Sequence, residues 1–389
     1  MASKRVRLSQ RRKSAGFTQE SLAARLGVER TTVIRWETAV TEPQPPIRPK
    51  LARLLAVTGD ELQALLDDIV IVGGPGPSER IAYAIERPSS VDLIAVAYLH
   101  ERIRHLDESY DKAPSTGLLG PAGQLHGQVS YLRQHAGNSR VRRALLGAEA
   151  ESATLMGQLV WDVSQRRDHA GSAYYLDAAI HAARQVRDPN AEAHAVLRKS
   201  FVALYGERNP GKGLVLAQEA AAVAQLGSPS LLGLSLLHIA EGQAMAGDAK
   251  GCEDSLRKAR AQFDRVNEDD LAADRYTVNE FNRLRGSCYL HLNLPERAEP
   301  ILSATVTALT AKRKSQSIAL GNLTLALIRQ RKLEEAAATL HRTIDAVELT
   351  RGGGGLNLAF TAGRELGEWR SEPWVQDIND RLLALMTAS

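Results

Sequence analysis

Thr18-Gln19-Glu20-Ser21-Leu22-Ala23-Ala24-Arg25-Leu26-Gly27-Val28-Glu29-Arg30-Thr31-Thr32-Val33-Ile34-Arg35-Trp36-Glu37 decides the reading of this chain. Thr18 is suited to cap a helix, and Leu22, Ala23 and Leu26 then share one helical face. Gly27 stops that helix, because the reversal needs a left-handed backbone that glycine adopts without strain. Ala23 is small enough for a second helix to cross closely. In that second helix Val28, Val33 and Trp36 point inward, so Arg30, Thr31, Thr32 and Arg35 face out. Two short helices crossing through a glycine turn, with the second exposed and basic, form the arrangement that lays a helix in the DNA major groove.

The run resembles the helix-turn-helix of the Cro and phage-repressor type, the xenobiotic-response-element family. The resemblance covers roughly residues 4 to 66, with Leu8 to Ser14 as helix one, Leu51 to Val57 as helix four and Thr58-Gly59-Asp60-Glu61-Leu62 opening helix five. It implies that Arg12 and Glu37 form a salt bridge tying helix one to the recognition helix, and that Gln19 touches the DNA backbone and neighbouring groups. It also places Arg30, Thr31, Thr32 and Arg35 at the groove. Thr38-Ala39-Val40 departs from the pattern, since relatives often carry a glycine there. By chemistry Arg30 and Arg35 suit bidentate contact to guanine, and Thr31 and Thr32 suit a base or a thymine methyl. Lys4, Arg5, Arg7, Arg11, Lys13, Arg48, Lys50 and Arg53 are candidates for phosphate contact, which positions without specifying. Trp36 reads as core.

Charge supports the same assignment independently. Residues 1–65 hold 12 Lys+Arg against 6 Asp+Glu, net +6, which leaves 37 against 39, net −2, of the chain totals of 49 and 45. The basic character is therefore localised, as a nucleic-acid footprint is, rather than spread as the pI near 9.0 alone would suggest.

At 389 residues the chain is too long for one small DNA-binding domain. No apolar run approaches the ~18 residues that a membrane helix needs, and Met1-Ala2-Ser3-Lys4-Arg5 lacks a signal h-region, so a cytoplasmic protein without membrane partners is expected. Cys252 and Cys288 are the only cysteines, too few for a disulfide framework. The expected organisation is a DNA-binding domain over 1–69, a linker or hinge over 70–90 around Val70-Ile71-Val72-Gly73-Gly74-Pro75-Gly76-Pro77-Ser78, and a second domain over 91–389. No Gly-Lys-Ser/Thr follows those glycines, so they make a turn rather than a phosphate loop.

Beyond residue 90 the sequence is rich in leucine and alanine and broken at intervals, so the fold expected is all-α. Turns fall near Arg167-Asp168, Asn209-Pro210, Gly247-Asp248, Leu294-Pro295 and Arg331-Lys332, about 37 to 47 residues apart, the period of stacked helix pairs. Leu320, Leu323, Leu327, Leu333, Ala336 and Leu340 form one such pair. Gly286, Tyr289, Ala298 and Leu302 repeat it, and His238, Ala240, Ala249, Cys252, Leu256 and Ala259 form a weaker copy. These pairs resemble tetratricopeptide repeats, about five or six of them. Neighbours must stack to cover their apolar faces, which gives an α-solenoid with a concave surface. Arg351-Gly352-Gly353-Gly354-Gly355 reads as a flexible loop between helices, and Trp369 and Trp374 as end-capping core or a dimer contact.

The order of domains resembles that of the peptide-sensing regulators of Gram-positive bacteria and of actinobacterial regulators. The resemblance implies a homodimer on a palindromic operator in double-stranded DNA, with a signalling peptide or small molecule in the concave surface. Tyr205, Asn279, Asn282, Arg283 and Asn322 are candidate ligand contacts, along with Tyr174, Tyr175 and Tyr289. The alternative is a DNA-tethered scaffold whose repeats bind a partner protein without a small effector. An enzyme finds no footing: the ten histidines are scattered, Cys288 and His291 have no companion metal ligands, and no cofactor or metal is expected.

Overall fold

The computed structural model describes residues 3–67, 70–71, 76–267, 270 and 272–387, and it is all-α in character. The chain folds as two compact units, Met1–Arg80 and Ile81–Ser389.

The first unit holds α1 (Val6–Ser14), α2 (Gln19–Leu26), α3 (Arg30–Glu37), α4 (Arg48–Leu55) and α5 (Gly59–Asp67). Thr18 caps α2 reciprocally with Ser21: the Ser21 amide donates to the Thr18 hydroxyl, and the Thr18 amide to the Ser21 hydroxyl. Gly27 ends α2 at φ 77°, ψ 32°, the left-handed turn its sequence position requires. Leu22, Ala23, Leu26, Val33 and Trp36 join Leu8, Leu51, Leu55, Leu62 and Leu66 in one buried core. The residue that departs from the family pattern, Ala39, takes φ 52°. A left-handed residue is needed where the chain leaves α3, and here alanine supplies it.

One small ladder was not expected: β1 (Ser3–Lys4) pairs antiparallel with β2 (Val70–Ile71). The stretch 70–90, expected as a linker, also contains the helix α6 (Pro77–Glu86), with proline at its start and Glu79 in its first turn. Residues 72–75 of that stretch lie outside the described residues.

The second unit continues with α7 (Leu93–Ser109), α8 (Ser115–His135) and six helix pairs. The pairs are α9 (Ser139–Val163) with α10 (His169–Val186), α11 (Pro189–Phe201) with α12 (Pro210–Ala224), and α13 (Pro229–Met245) with α14 (Ala249–Arg260). They go on with α15 (Val278–His291) and α16 (Pro295–Ala308), α17 (Arg313–Arg329) and α18 (Leu333–Thr350), and α19 (Gly353–Glu365) and α20 (Pro373–Thr387). The five turns marked in the sequence join the first five pairs. Each contains a residue with positive φ: Arg166, Arg208, Gly247, Asn293 and Arg331. Asp168, Asn209 and Asp248 then cap the second helices of their pairs. Cys252 is fully buried in the core of its pair, and Trp369 and Trp374 pack on the last core cluster.

The run Gly352–Gly355 is not a loop. It forms the buried start of α19, and the lack of side chains is what admits it there. A Cβ on Gly355 would sit 2.3 Å from the Ser317 hydroxyl, and one on Gly353 3.2 Å from the Asp162 carbonyl. This close approach brings α19 against α9, so the pairs curve round until the last meets the first.

Candidate nucleic-acid interface and interior cavity

Helix α3 presents Arg30, Thr31 and Arg35 as exposed side chains, with Thr32 half-buried. Arg30 is held by Glu20 of α2, Nε to Oε1 at 2.7 Å, with both side chains 58% exposed. Thr31 donates to Glu29 at 3.1 Å. Lys50, at the start of α4, is exposed. The side chain of Lys4 lies outside the described residues.

Arg12 and Glu37 lie in the interior of this unit, Nε to Oε1 at 2.7 Å, and a second Arg12 nitrogen donates to the Phe17 carbonyl. Gln19, expected to touch the DNA backbone and neighbouring groups, gives its amide to Glu37 Oε2 at 2.6 Å and so joins this network from its half-buried edge. Arg11 is likewise turned to other work: its guanidinium donates to the carbonyls of Leu55 and Ala56 and so closes the C-terminus of α4. Arg5 departs furthest from expectation. It is 2% exposed and donates to the carbonyls of Leu66, Trp36 and Thr41 and to Glu42, knitting α3, α5 and the loop after α3 together.

In the second unit the first helix of each pair, α9 through α19, contributes to the wall of a cavity of about 550 Å³. Of the residues expected to touch a ligand, Tyr205, Arg283 and Asn322 line it, whereas Asn279 and Asn282 do not. The reason is register. On α15 the cavity face is set by Glu280, Arg283, Ser287 and His291, and Asn279 and Asn282 stand one position off it, about 100° round the helix. Of the tyrosines also considered, Tyr174 is 72% exposed, Tyr175 packs edge-on to His126, and Tyr289 is buried under Arg297.

The cavity wall holds a connected polar network. The Tyr205 hydroxyl donates to Glu241 and lies 2.9 Å from His238 Nδ1, while Ser287 donates to the other Glu241 oxygen at 2.5 Å. Burial pushes the Glu241 carboxyl up, but the hydrogen bond and charge of His238, with His291 and Ser287, outweigh it and hold it at about 2. Burial, then Glu241, pushes the Tyr205 phenol up, so Tyr205 is the donor. Nearby, His194 Nε2 accepts from Arg275 at 2.7 Å and from Arg198 at 3.2 Å. Burial, then those two guanidiniums, drives its pKa well below the ordinary value, so the ring is neutral.

Sequence reasoning missed His194, Arg198, His238, Glu241 and Arg166. A signal existed for the first four: His194, Arg198 and Phe201, continued by Tyr205 just past α11, and Leu234, His238, Glu241 and Met245 recur at helical spacing in successive pairs.

Among the described residues no three His, Cys, Asp or Glu side chains gather as a metal site, and no helix is long and apolar enough to cross a membrane. Compared with known families, residues 8–62 match the helix-turn-helix family model. The match runs from α1 into α5 and so covers the capping box, the Gly27 turn and α3. No curated protein matches the chain. The first unit therefore carries a helix-turn-helix DNA-binding domain, as found in sequence-specific regulators.

Proposed function

We propose that this protein is a transcriptional regulator that grips its operator as a homodimer and responds to an effector held in the helical-repeat unit. The observation that carries the sensing part is the cavity of about 550 Å³, framed by the first helices of six pairs, in a chain that also bears a DNA-binding domain. Cavities of ~300–1,000 Å³ suit small-molecule ligands. In this reading Arg30, Thr31, Thr32 and Arg35 read bases, and Lys4 and Lys50 hold phosphates. Dimerisation is supported by the limits of the motif itself. One helix-turn-helix reads few base pairs, and two on half-sites ~34–36 Å apart supply the specificity. The repeats bend along their stacked interfaces, so occupancy of the cavity changes the spacing or angle of the paired readers. By linkage, operator DNA then weakens effector binding by the factor with which the effector weakens DNA binding.

Selection of genomic fragments by the full-length protein, followed by binding of the best fragment with and without culture extract, tests this. A palindromic fragment whose occupancy changes with extract is the expected result. A site indifferent to extract, with proteins retained on the repeats, would replace sensing by scaffolding.

A further inference from the structure

We infer that the cavity takes a small organic anion with an apolar body, its charge bound by Arg166 and Arg198 and its body laid against Phe201 and Tyr205. This rests on the sensing role proposed above and adds to it the chemistry of the effector.

Charge segregation is the first ground. Residues 66–389 together carry net −2, yet the cavity wall gathers nine Arg and Lys side chains against four carboxylates. Arg275 and Arg329 are paired with Asp107 and Glu365 behind the wall, which leaves seven cations against four carboxylates inside it. Those carboxylates are largely occupied: Glu280 by Arg283, Asp162 by Lys314 and the Gly353 amide, and Glu241 by Tyr205 and Ser287. The Asp111 carboxylate accepts from Ser315, and burial, then Glu280, pushes its pKa up against the pull of Lys312, Arg198 and Arg283.

The second ground is the pair of guanidiniums left over. Arg198 lines the cavity with no carboxylate in ion-pair contact among the described residues: its Nε meets the neutral His194, and Asp107 and Asp111 act on it only from a distance while burial and Arg275 push its pKa down. Arg166 also lines it, and its buried Nε has no hydrogen-bond partner among the described residues. A partly buried cation left without an anion is costly, and a bound anion removes that cost. The two guanidiniums border adjacent rings: Arg198 stands 5.3 Å from the Phe201 ring, Arg166 stands 4.6 Å from the Trp161 ring and 5.9 Å from the Tyr205 ring, and the Phe201 and Tyr205 rings are 5.9 Å apart. Leu197, Leu204, Leu234 and Ile318 continue the apolar surface.

The third ground is closure, which separates a small molecule from an extended peptide. Lys314 of α17 bonds Ser115 of α8 and pairs with Asp162 of α9, and the Gly353 amide of α19 donates to Asp162 at 2.8 Å. The end pairs are thus joined across the groove, so the trough that a solenoid would leave open is bridged where α9, α17 and α19 meet.

The test uses 8-anilinonaphthalene-1-sulfonate, an aromatic anion whose fluorescence rises on burial, beside the neutral N-phenyl-1-naphthylamine, on the full-length protein. The expected result is saturable binding of one anion per chain, with the neutral probe at least tenfold weaker, and weakening of the anion alone by about tenfold or more in Arg198→Gln or Arg166→Gln. Circular dichroism checks that both variants fold, and Leu234→Trp, which fills the chamber, should abolish binding in a folded protein. Equal binding of both probes, binding untouched by all three variants, or no saturable anion binding overturns the proposal. Operator affinity measured with the anion present separates the two readings. Anion binding that leaves operator affinity unchanged sinks sensing but keeps the ligand class, whereas an extract that releases the operator while the anion fails to bind does the reverse.

Discussion

Asp162 Oδ2 and Lys314 Nζ meet at 3.3 Å with side chains only 2% and 5% exposed, although 152 residues separate them in the chain. Asp162 gathers three donors there: Lys314, the Ser115 hydroxyl at 2.5 Å and the Gly353 amide. Burial lowers the Lys314 pKa while Asp162 works to raise it. Asp162→Ala leaves a buried ammonium, a hydroxyl and an amide without their acceptor, so it should cost about 3–5 kcal/mol in urea unfolding of the repeat unit. Hydrogen exchange should quicken in α9, α17 and α19 together. An effect confined to α9 would mean that this contact does not join the end pairs.

Glu37 makes the corresponding centre in the first unit, since Arg12 and Gln19 both bond its carboxylate. Glu37→Ala should destabilise that unit by about 3–5 kcal/mol, because the Arg12 guanidinium is left buried and unpaired, while Gln19→Ala should cost only about 0.5–1.5 kcal/mol. Hydrogen exchange along α1–α3 reads both. Equal costs would show that the Arg12 guanidinium finds water or another acceptor once Glu37 is gone.

At the DNA face, Arg35→Ala should cost about 1–3 kcal/mol on the operator and far less on random DNA, whereas Lys50→Ala should weaken both alike and lower the salt slope by about one. Arg30 differs from Arg35 in being tethered to Glu20 by an exposed pair, and such pairs are weak and screened by salt. Glu20→Ala should therefore tighten DNA binding severalfold at low salt. Fluorescence anisotropy with labelled operator and random duplexes measures all three, and a loss for Arg35→Ala equal on both duplexes would move that residue from readout to positioning.

What the sequence made legible follows from how local each signal is. The α2–α3 turn could be read because capping, glycine stop and apolar spacing all act within a few residues. The turns of five helix pairs were visible for the same reason. The destinations of long flexible side chains were not: Arg5 and Arg11 look like phosphate ligands until the carbonyls of α4 and α5 are placed beside them. Gly352–Gly355 reads as a loop because nothing local says that Ser317 and Asp162 crowd it. Chamber residues such as Arg198 and Glu241 recur at helical spacing, but that spacing does not say that six helices turn those faces to one space.

Ala39 holds φ 52° where the chain leaves α3. A left-handed backbone costs a residue with a Cβ about 1–2 kcal/mol relative to its preferred region, and glycine escapes that cost but loses more entropy on folding. Ala39→Gly should accordingly raise the stability of the first unit, by about 0.5–1 kcal/mol, and leave DNA affinity unchanged. A lower melting temperature would show that the Ala39 methyl contributes packing that outweighs the strain.

His194 gives the repeat unit a sign for its pH dependence. Its ordinary pKa is 6.5, and burial with Arg275 and Arg198 drives the folded value well below that. Below about pH 6.5 the unfolded chain takes up a proton that the folded chain refuses, so the stability is present above that pH and is lost as pH falls toward the folded pKa, by at most about 1.4 kcal/mol per pH unit for this one group. His126, His238 and His291 are shifted the same way, while His100, raised by its bond to Glu151, opposes them. The contribution of His194 is isolated by His194→Gln, whose amide oxygen still accepts from an arginine but does not titrate. Between about pH 7 and pH 5 the melting temperature of the variant should fall less steeply than that of the parent. Parallel slopes would mean that His194 is protonated in the folded protein and that Arg198 and Arg275 face a cation there, which the 2.7 Å contact from Arg275 argues against.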